Sequence, residues 1–167
     1  RCLIPLGRSL PRQASAGPIP YGAAAAMVNP ASGYLLGRLL RDQPALAKNI
    51  RETLQKSDAL SERSTEIQTL LWPPDQRRMW EMYRFGLRVL YSMRADQTLQ
   101  FFDAFFRLDS ARWLGYLTAR QCPEALSAFM LRLFWEAPWN IKYALTKSLM
   151  GSGGLQMLKE IPPLLIA

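Results

Sequence analysis

GAAAAMVNPASGY, running from Gly22 to Tyr34, is the stretch on which the reading of this chain turns. It follows the apolar segment Pro18-Ile19-Pro20-Tyr21 and leads into Leu35, Leu36, Leu39 and Leu40. That order predicts a short extended run, then a loop of small residues, then an amphipathic helix opened by a turn at Pro30. Gly22 and the alanines at positions 23–26 let another backbone or a flat ligand come close. A helix N-terminus carries unpaired N–H groups and a partial positive charge, so it suits a phosphate or an electron-rich ring edge. The same small residues equally fit a helix packed tightly on a sheet, and the pattern alone leaves both readings open.

Working outward, the charge balance is 21 Lys+Arg against 13 Asp+Glu, a net +8. Such an excess suits an anionic partner: nucleic acid, acidic lipid or a phosphate-bearing cofactor. The basic residues are scattered along helical stretches instead of forming a run, which argues against nucleic acid. Histidine is absent. That excludes Ser-His-Asp and Cys-His catalysis, and no metal site is expected. Cys2 and Cys122 lie far apart, in neither a disulfide framework nor a ligand spacing. Apolar residues make up 49% of the chain, yet no window approaches the roughly 18–20 apolar residues of a membrane span. Any meeting with a membrane is therefore expected at its surface. The opening residues from Arg1 read as the middle of something longer, and a C-terminal fragment is the expectation.

Arg1–Leu6 and Ile19–Tyr21 read as two short strands joined through Pro11, Gly17 and Pro18. The helix after Gly33 is expected to break near Asp42-Gln43-Pro44 and resume with Ala45, Leu46, Ile50 and Leu54 on one face. Polar residues from Lys56 to Ser64 suggest an exposed loop. Trp72-Pro73-Pro74-Asp75 is a helix start, and everything beyond it reads as helix. Met79, Tyr83, Leu87 and Leu90 recur at helical spacing, as do Leu126, Phe129, Met130, Leu133 and Phe134. Gly151-Ser152-Gly153-Gly154 closes the last long helix. The expected fold class is mainly α with a small β portion. The expected division is residues 1–56, an exposed loop over 57–71, and an aromatic-rich helical region over 72–167. Aromatic-rich helices of this kind make either a packed core or an apolar tunnel open at a membrane surface.

Several collinear segments carry a resemblance. IPLGRSLP (Ile4–Pro11), GAAAAMVNPASGY, LWPPDQRR (Leu71–Arg78), FFDAFFRLD (Phe101–Asp109), WLGYLTAR (Trp113–Arg120) and LRLFWEAPW (Leu131–Trp139) resemble the C-terminal part of plant and cyanobacterial lycopene cyclases. The resemblance covers nearly the whole chain. It implies the end of an FAD-binding, Rossmann-type α/β flavoprotein like p-hydroxybenzoate hydroxylase or geranylgeranyl reductase. The family's GxGxxG element and its acidic catalytic motif are absent from this sequence, so the catalytic acid is expected upstream and the piece alone is expected to be inactive. By resemblance, Gly22–Tyr34 is the closing flavin motif. Gly22, Ala26, Met27, Val28, Asn29, Pro30 and Gly33 would contact FAD, with N–H groups around residues 27–29 facing the ring edge or the pyrophosphate. Members of the family usually have His where Asn29 stands and often Gly where Ala26 stands. An alanine would be strained if that position needs a positive φ.

The implied activity is a non-redox ring closure of lycopene, on FAD held reduced by NAD(P)H. Its setting would be a plastid or cyanobacterial membrane, met peripherally. Phe102, Asp103, Phe106 and Trp113 are candidates for a substrate cavity. For Asp103, a salt bridge to Arg107 is the favoured alternative. Asp75, Asp96 and Asp109 read as helix caps. FFDAFF and the run that follows lean towards β-cyclases, whereas GAAAA and LMGSGGLQMLKE lean towards ε-cyclases; β is favoured. The alternatives are a geranylgeranyl-reductase-like flavoenzyme and a non-catalytic helical module that binds membranes or partners.

Overall fold

The computed structural model describes residue 6, residues 18–56 and residues 60–151. Among the described residues, seven α-helices follow a single 3-10 turn, Gly22–Ala25: α1 Leu36–Lys56, α2 Leu60–Leu71, α3 Pro74–Ser92, α4 Ala95–Arg107, α5 Ser110–Thr118, α6 Pro123–Glu136 and α7 Trp139–Leu149. Among the described residues there is no strand, which corrects the expected small β portion and the α/β flavoprotein architecture built on it. Ile19–Tyr21 has no regular structure, because Pro18 and Pro20 each lack the N–H a ladder needs. Of the other expected strand only Leu6 is described, in a turn.

The chain forms two compact units: residues 1–29 with 33–74, and residues 30–32 with 75–167. In the first, α1 packs on α2. Helix α1 does not break at Pro44 but runs through it. An interior proline removes one hydrogen bond and crowds the carbonyl four residues back, at about 3 kcal/mol. Here that carbonyl belongs to Leu40, a residue on the exposed side of the helix. Leu39 before the proline and Leu46 and Ile50 after it line the same apolar groove, so continuing the helix keeps one face together. Helix α2 occupies most of the span where polar residues suggested a loop; buried Ile67 and Leu71 hold it. The expected loop's first part, residues 57–59, lies outside the described residues.

In the second unit the helices form where the periodicity predicts, but α3 buries Met82, Phe85 and Val89 beside Tyr83, while Met79, Leu87 and Leu90 are only half-buried. Phe101, Ala104 and Phe105 of α4 meet Phe129 and Leu133 of α6, Ala137, and Ile141 of α7. Met82, Tyr83, Phe85 and Val89 of α3 gather with Leu126 of α6. Met93, Tyr116, Met130 and Leu145 border both clusters and join them into one core. The rings meet mostly edge to face, Phe105 with Phe129 at 5.4 Å and Tyr83 with Tyr116 at 5.0 Å, the arrangement the aromatic quadrupole favours. Gly86 of α3 leaves the space that the Tyr116 hydroxyl fills, since a Cβ there would lie 2.8 Å from that oxygen. Burial pushes the Tyr116 phenol well above its usual pKa. Pro74 opens α3 with Asp75 in its first turn. The Asp109 carboxylate caps α5, accepting from the N–H groups of Ala111 and Arg112 at 2.9 and 3.3 Å.

Candidate functional site

The small-residue stretch folds as a tightly hydrogen-bonded loop. The N–H of Ala26 donates to the carbonyl of Ala23 at 3.1 Å, and that of Met27 to Gly22 at 3.0 Å. Ala26 closes the turn in the left-handed region at φ 58°. The positive φ that makes an alanine costly is therefore present at Ala26. Gly22, at φ 64°, and Gly33, at φ 72°, use the freedom their missing Cβ gives. The N–H of Asn29 donates to Tyr34 at 3.0 Å and that of Gly33 back to Asn29 at 2.8 Å.

That second turn moves the helix start. Helix α1 begins at Leu36, six residues after Pro30, so the N–H groups of residues 27–29 are not those of a helix N-terminus. Those of Met27 and Asn29 are already spent inside the loop. The Val28 N–H has no partner among the described residues, although Val28 is only 4% exposed.

Two side chains that the sequence reading passed over anchor the loop. The Trp72 indole N–H donates to the Ala25 carbonyl at 3.0 Å, in a buried setting. Arg38 donates to the Met27 carbonyl at 3.4 Å and lies over the Trp72 ring at 4.5 Å. Burial depresses the Arg38 pKa, opposed by the Asp42 carboxylate 3.5 Å away. In sequence, Trp72 reads only as the residue before two prolines, and Arg38 as one cation among leucines. No local pattern marks either role: Arg38 lies about half a turn from Leu36 and Leu40, which are exposed.

Pro30, Ala31 and Ser32 belong to the second unit. Ala31 packs beside the Met82–Leu126 cluster, and the Ser32 hydroxyl donates to the Leu117 carbonyl at 2.7 Å. The loop's residues thus divide between the two units after Asn29 and before Gly33.

In the first unit, an apolar groove of about 520 Å³ opens beside Tyr21, lined by Ile19, Leu39, Leu46, Ile50 and Ile67 among others. The cavity expected around Phe102, Asp103, Phe106 and Trp113 takes another form. Phe102 stacks on Phe106 at 6.0 Å, Phe106 meets Trp113 edge to face at 5.3 Å, and Phe106 is 51% exposed. They form a ladder on the outside of α4 and α5. Asp103 pairs with Arg107, its side chain 60% exposed. A polar hollow of about 430 Å³ lies nearby, between Arg107, Asp109, Arg112, Arg132 and Glu136. Glu136 is paired with Arg132 at 2.7 Å. The Glu124 carboxyl is held below the usual carboxylate range by its own backbone N–H and by Cys122. Among the described residues no group of His, Cys, Asp and Glu is placed to hold a metal, and no helix is long and apolar enough to cross a membrane.

The first unit thus holds a loop of small residues and an apolar groove. Comparison with known proteins gives the family. The family model described as "Lycopene cyclase protein" matches residues 1–143, and the chain belongs to that flavoprotein family. It is 39% identical over 147 residues to the lycopene beta cyclase of Synechococcus elongatus, covering 86% of this chain and 35% of that protein. Against the lycopene beta cyclase of Narcissus pseudonarcissus the identity is 34% over 165 residues, 96% of this chain and 31% of the relative. The capsanthin/capsorubin synthase of Capsicum annuum is 34% identical over 139 residues, 82% of this chain and 28% of that protein. The chain spans about a third of the length of these curated relatives. No solved structure matches it.

Proposed function

We propose that this chain takes part in the ring closure of lycopene, supplying a loop that contacts the flavin and an apolar groove that accepts a ψ-end of the polyene. The relatives named lycopene beta cyclase favour the β ring, and their chloroplast, chromoplast and cyanobacterial sources favour a plastid or cyanobacterial setting. The observation that carries the reading is the family match across residues 1–143, which takes in both the loop and the groove.

The loop fits a flat ring at one point. Val28 offers an unpartnered N–H among the described residues, and at Gly33 a Cβ would meet nothing within 4 Å. It does not fit a pyrophosphate in the way a helix N-terminus would, since α1 starts too late. Reduced FAD, maintained by NAD(P)H, would supply negative charge near a cationic intermediate. In the reaction a proton adds to the terminal double bond, the neighbouring double bond attacks the resulting cation, and loss of a ring proton restores neutrality. Preorganised electrostatics would stabilise that cation, while the groove's aliphatic walls would exclude water.

The acid is assigned to none of the carboxylates that the sequence singled out. Asp103 and Glu136 are ion-paired, Asp109 caps a helix, and Asp75 and Asp96 are exposed, 67% and 57%. A proton donor at neutral pH needs a carboxyl in an apolar pocket.

The test is a chimera in which this chain replaces the matching third of the Synechococcus elongatus enzyme, expressed in bacteria that accumulate lycopene. Cyclised pigment, identified by chromatography as β-carotene or γ-carotene, is the expected result. A soluble, flavin-loaded chimera that leaves lycopene unchanged, beside an active parent, would overturn the reading.

A further inference from the structure

The turn between α6 and α7 carries a feature that neither the loop nor the groove uses. Trp135, Trp139 and Tyr143 are 71%, 84% and 71% exposed. Lys142 sits between the two indoles, its ammonium 5.9 Å from the Trp135 ring centre and 5.0 Å from that of Trp139. Tyr143 lies one helical turn after Trp139 on α7. Lys147, a further turn along, is exposed, and the one acid at the turn, Glu136, is already neutralised by Arg132. Large aromatic rings contribute most when buried, so three of them held in water around one helix–helix turn need a reason.

Tryptophan and tyrosine favour the boundary between lipid headgroups and acyl chains, because each has an apolar body and a polar edge. Lysine beside them reaches the headgroup phosphates and keeps its stem along apolar surface. We infer that the α6–α7 turn is the face by which this protein docks on a bilayer carrying anionic headgroups, with the two indoles at headgroup depth and Lys142 and Lys147 on the phosphates. The excess of basic over acidic residues, a net +8 for the chain, has the matching sign. The polyene substrate of the proposed function explains why a bilayer would be approached; the docking face itself rests on the residues at this turn.

The test uses the purified chain and vesicles free of any polyene, so its outcome does not depend on cyclase activity. Vesicles of phosphatidylcholine are compared with vesicles containing 30% phosphatidylglycerol, by co-flotation and by tryptophan emission. The chain is expected to float with the anionic vesicles, with emission shifted to the blue, and to bind less as salt rises. Trp135→Ser with Trp139→Ser should lower partition by roughly tenfold or more, and Lys142→Gln with Lys147→Gln should lower it by roughly fivefold per charge. Trp135, Trp139 and Lys147 are exposed and Lys142 is half-buried, so circular dichroism should be unchanged. Hydrogen exchange on the unaltered chain, with and without vesicles, gives an independent reading: protection should rise over residues 135–147. Flotation unaffected by the tryptophan changes, exchange unaltered at this turn, or no binding to either vesicle would overturn the proposal. So would self-association that the tryptophan changes abolish in the absence of lipid, since the face would then belong to a second copy.

Discussion

The two units bury different things. At the centre of the first is a loop: Ala25, Ala26, Met27, Val28 and Asn29 are all at most 6% exposed, and none of them is in an α-helix. Buried loop backbone must have its polar groups met, and here a tryptophan N–H and an arginine do much of that work. At the centre of the second are rings, with backbone polarity satisfied inside each helix. A core of rings tolerates loss of any one hydrogen bond but not loss of volume. A buried loop is the reverse, because removing one donor leaves a carbonyl unpaired.

The largest effect should therefore come from volume in the second unit. Phe129 is 2% exposed and meets both Phe105 and Tyr116. Phe129→Ala should cost about 3–5 kcal/mol, measured by urea unfolding followed through helix content. A loss under about 1 kcal/mol would show that the second unit is not organised around its rings. In the first unit the corresponding change is Trp72→Phe, which keeps most of the ring and removes the indole N–H. Leaving the Ala25 carbonyl unpaired should cost about 1–3 kcal/mol. Hydrogen exchange should rise within residues 22–29 and stay unchanged in α4 and α6. An equal rise in both places would erase the distinction between the units.

How much of this was legible beforehand follows the same division. The ring core was, because i, i+3, i+4 spacing of Phe and Leu leaves few other ways to bury them; Phe129 and Leu133 stand where the stripe put them. The loop was legible as a special place, from Gly22 and four alanines, but not as a structure. Its geometry depends on Trp72, 47 residues away from Ala25, and no local pattern encodes such a contact. The misplaced helix start has a local cause. Pro30 suits the first turn of a helix and equally a tight turn, and Gly33 at positive φ selects the turn. Ile19–Tyr21 forms no strand because three residues preceded by Pro18 and interrupted by Pro20 are too few to specify pairing. Phe102, Phe106 and Trp113 meet ring to ring on α4 and α5, and spacing reports such a shared face but not what covers it.

A smaller effect isolates the backbone from everything else. At Gly33, φ is 72° and an added Cβ would meet nothing within 4 Å. Gly33→Ala should therefore destabilise by about 1–2 kcal/mol through conformation alone. If urea unfolding shows no change, the turn has relaxed, and the α1 start at Leu36 would have to move towards Pro30.

The smallest expected effect has the opposite sign and is available in both units. Ala26 ends the 3-10 turn at φ 58°, and Ala119 ends α5 at φ 52° with its N–H donating to Tyr116 at 3.3 Å. Each alanine sits where glycine would be unstrained. Relief of about 1–2 kcal/mol is offset by the greater entropy that glycine loses on folding, about 0.5–1 kcal/mol. Ala26→Gly and Ala119→Gly should each stabilise by up to about 1 kcal/mol in urea unfolding. Ala119 is only half-buried beside the Met82–Leu126 cluster, so losing its methyl should trim the gain modestly. At Ala26 the side chain is buried at 6% exposure, and losing its methyl contact should leave a smaller gain. An Ala26→Gly gain exceeding that at Ala119 would mean that the loop holds more backbone strain than its one left-handed residue accounts for.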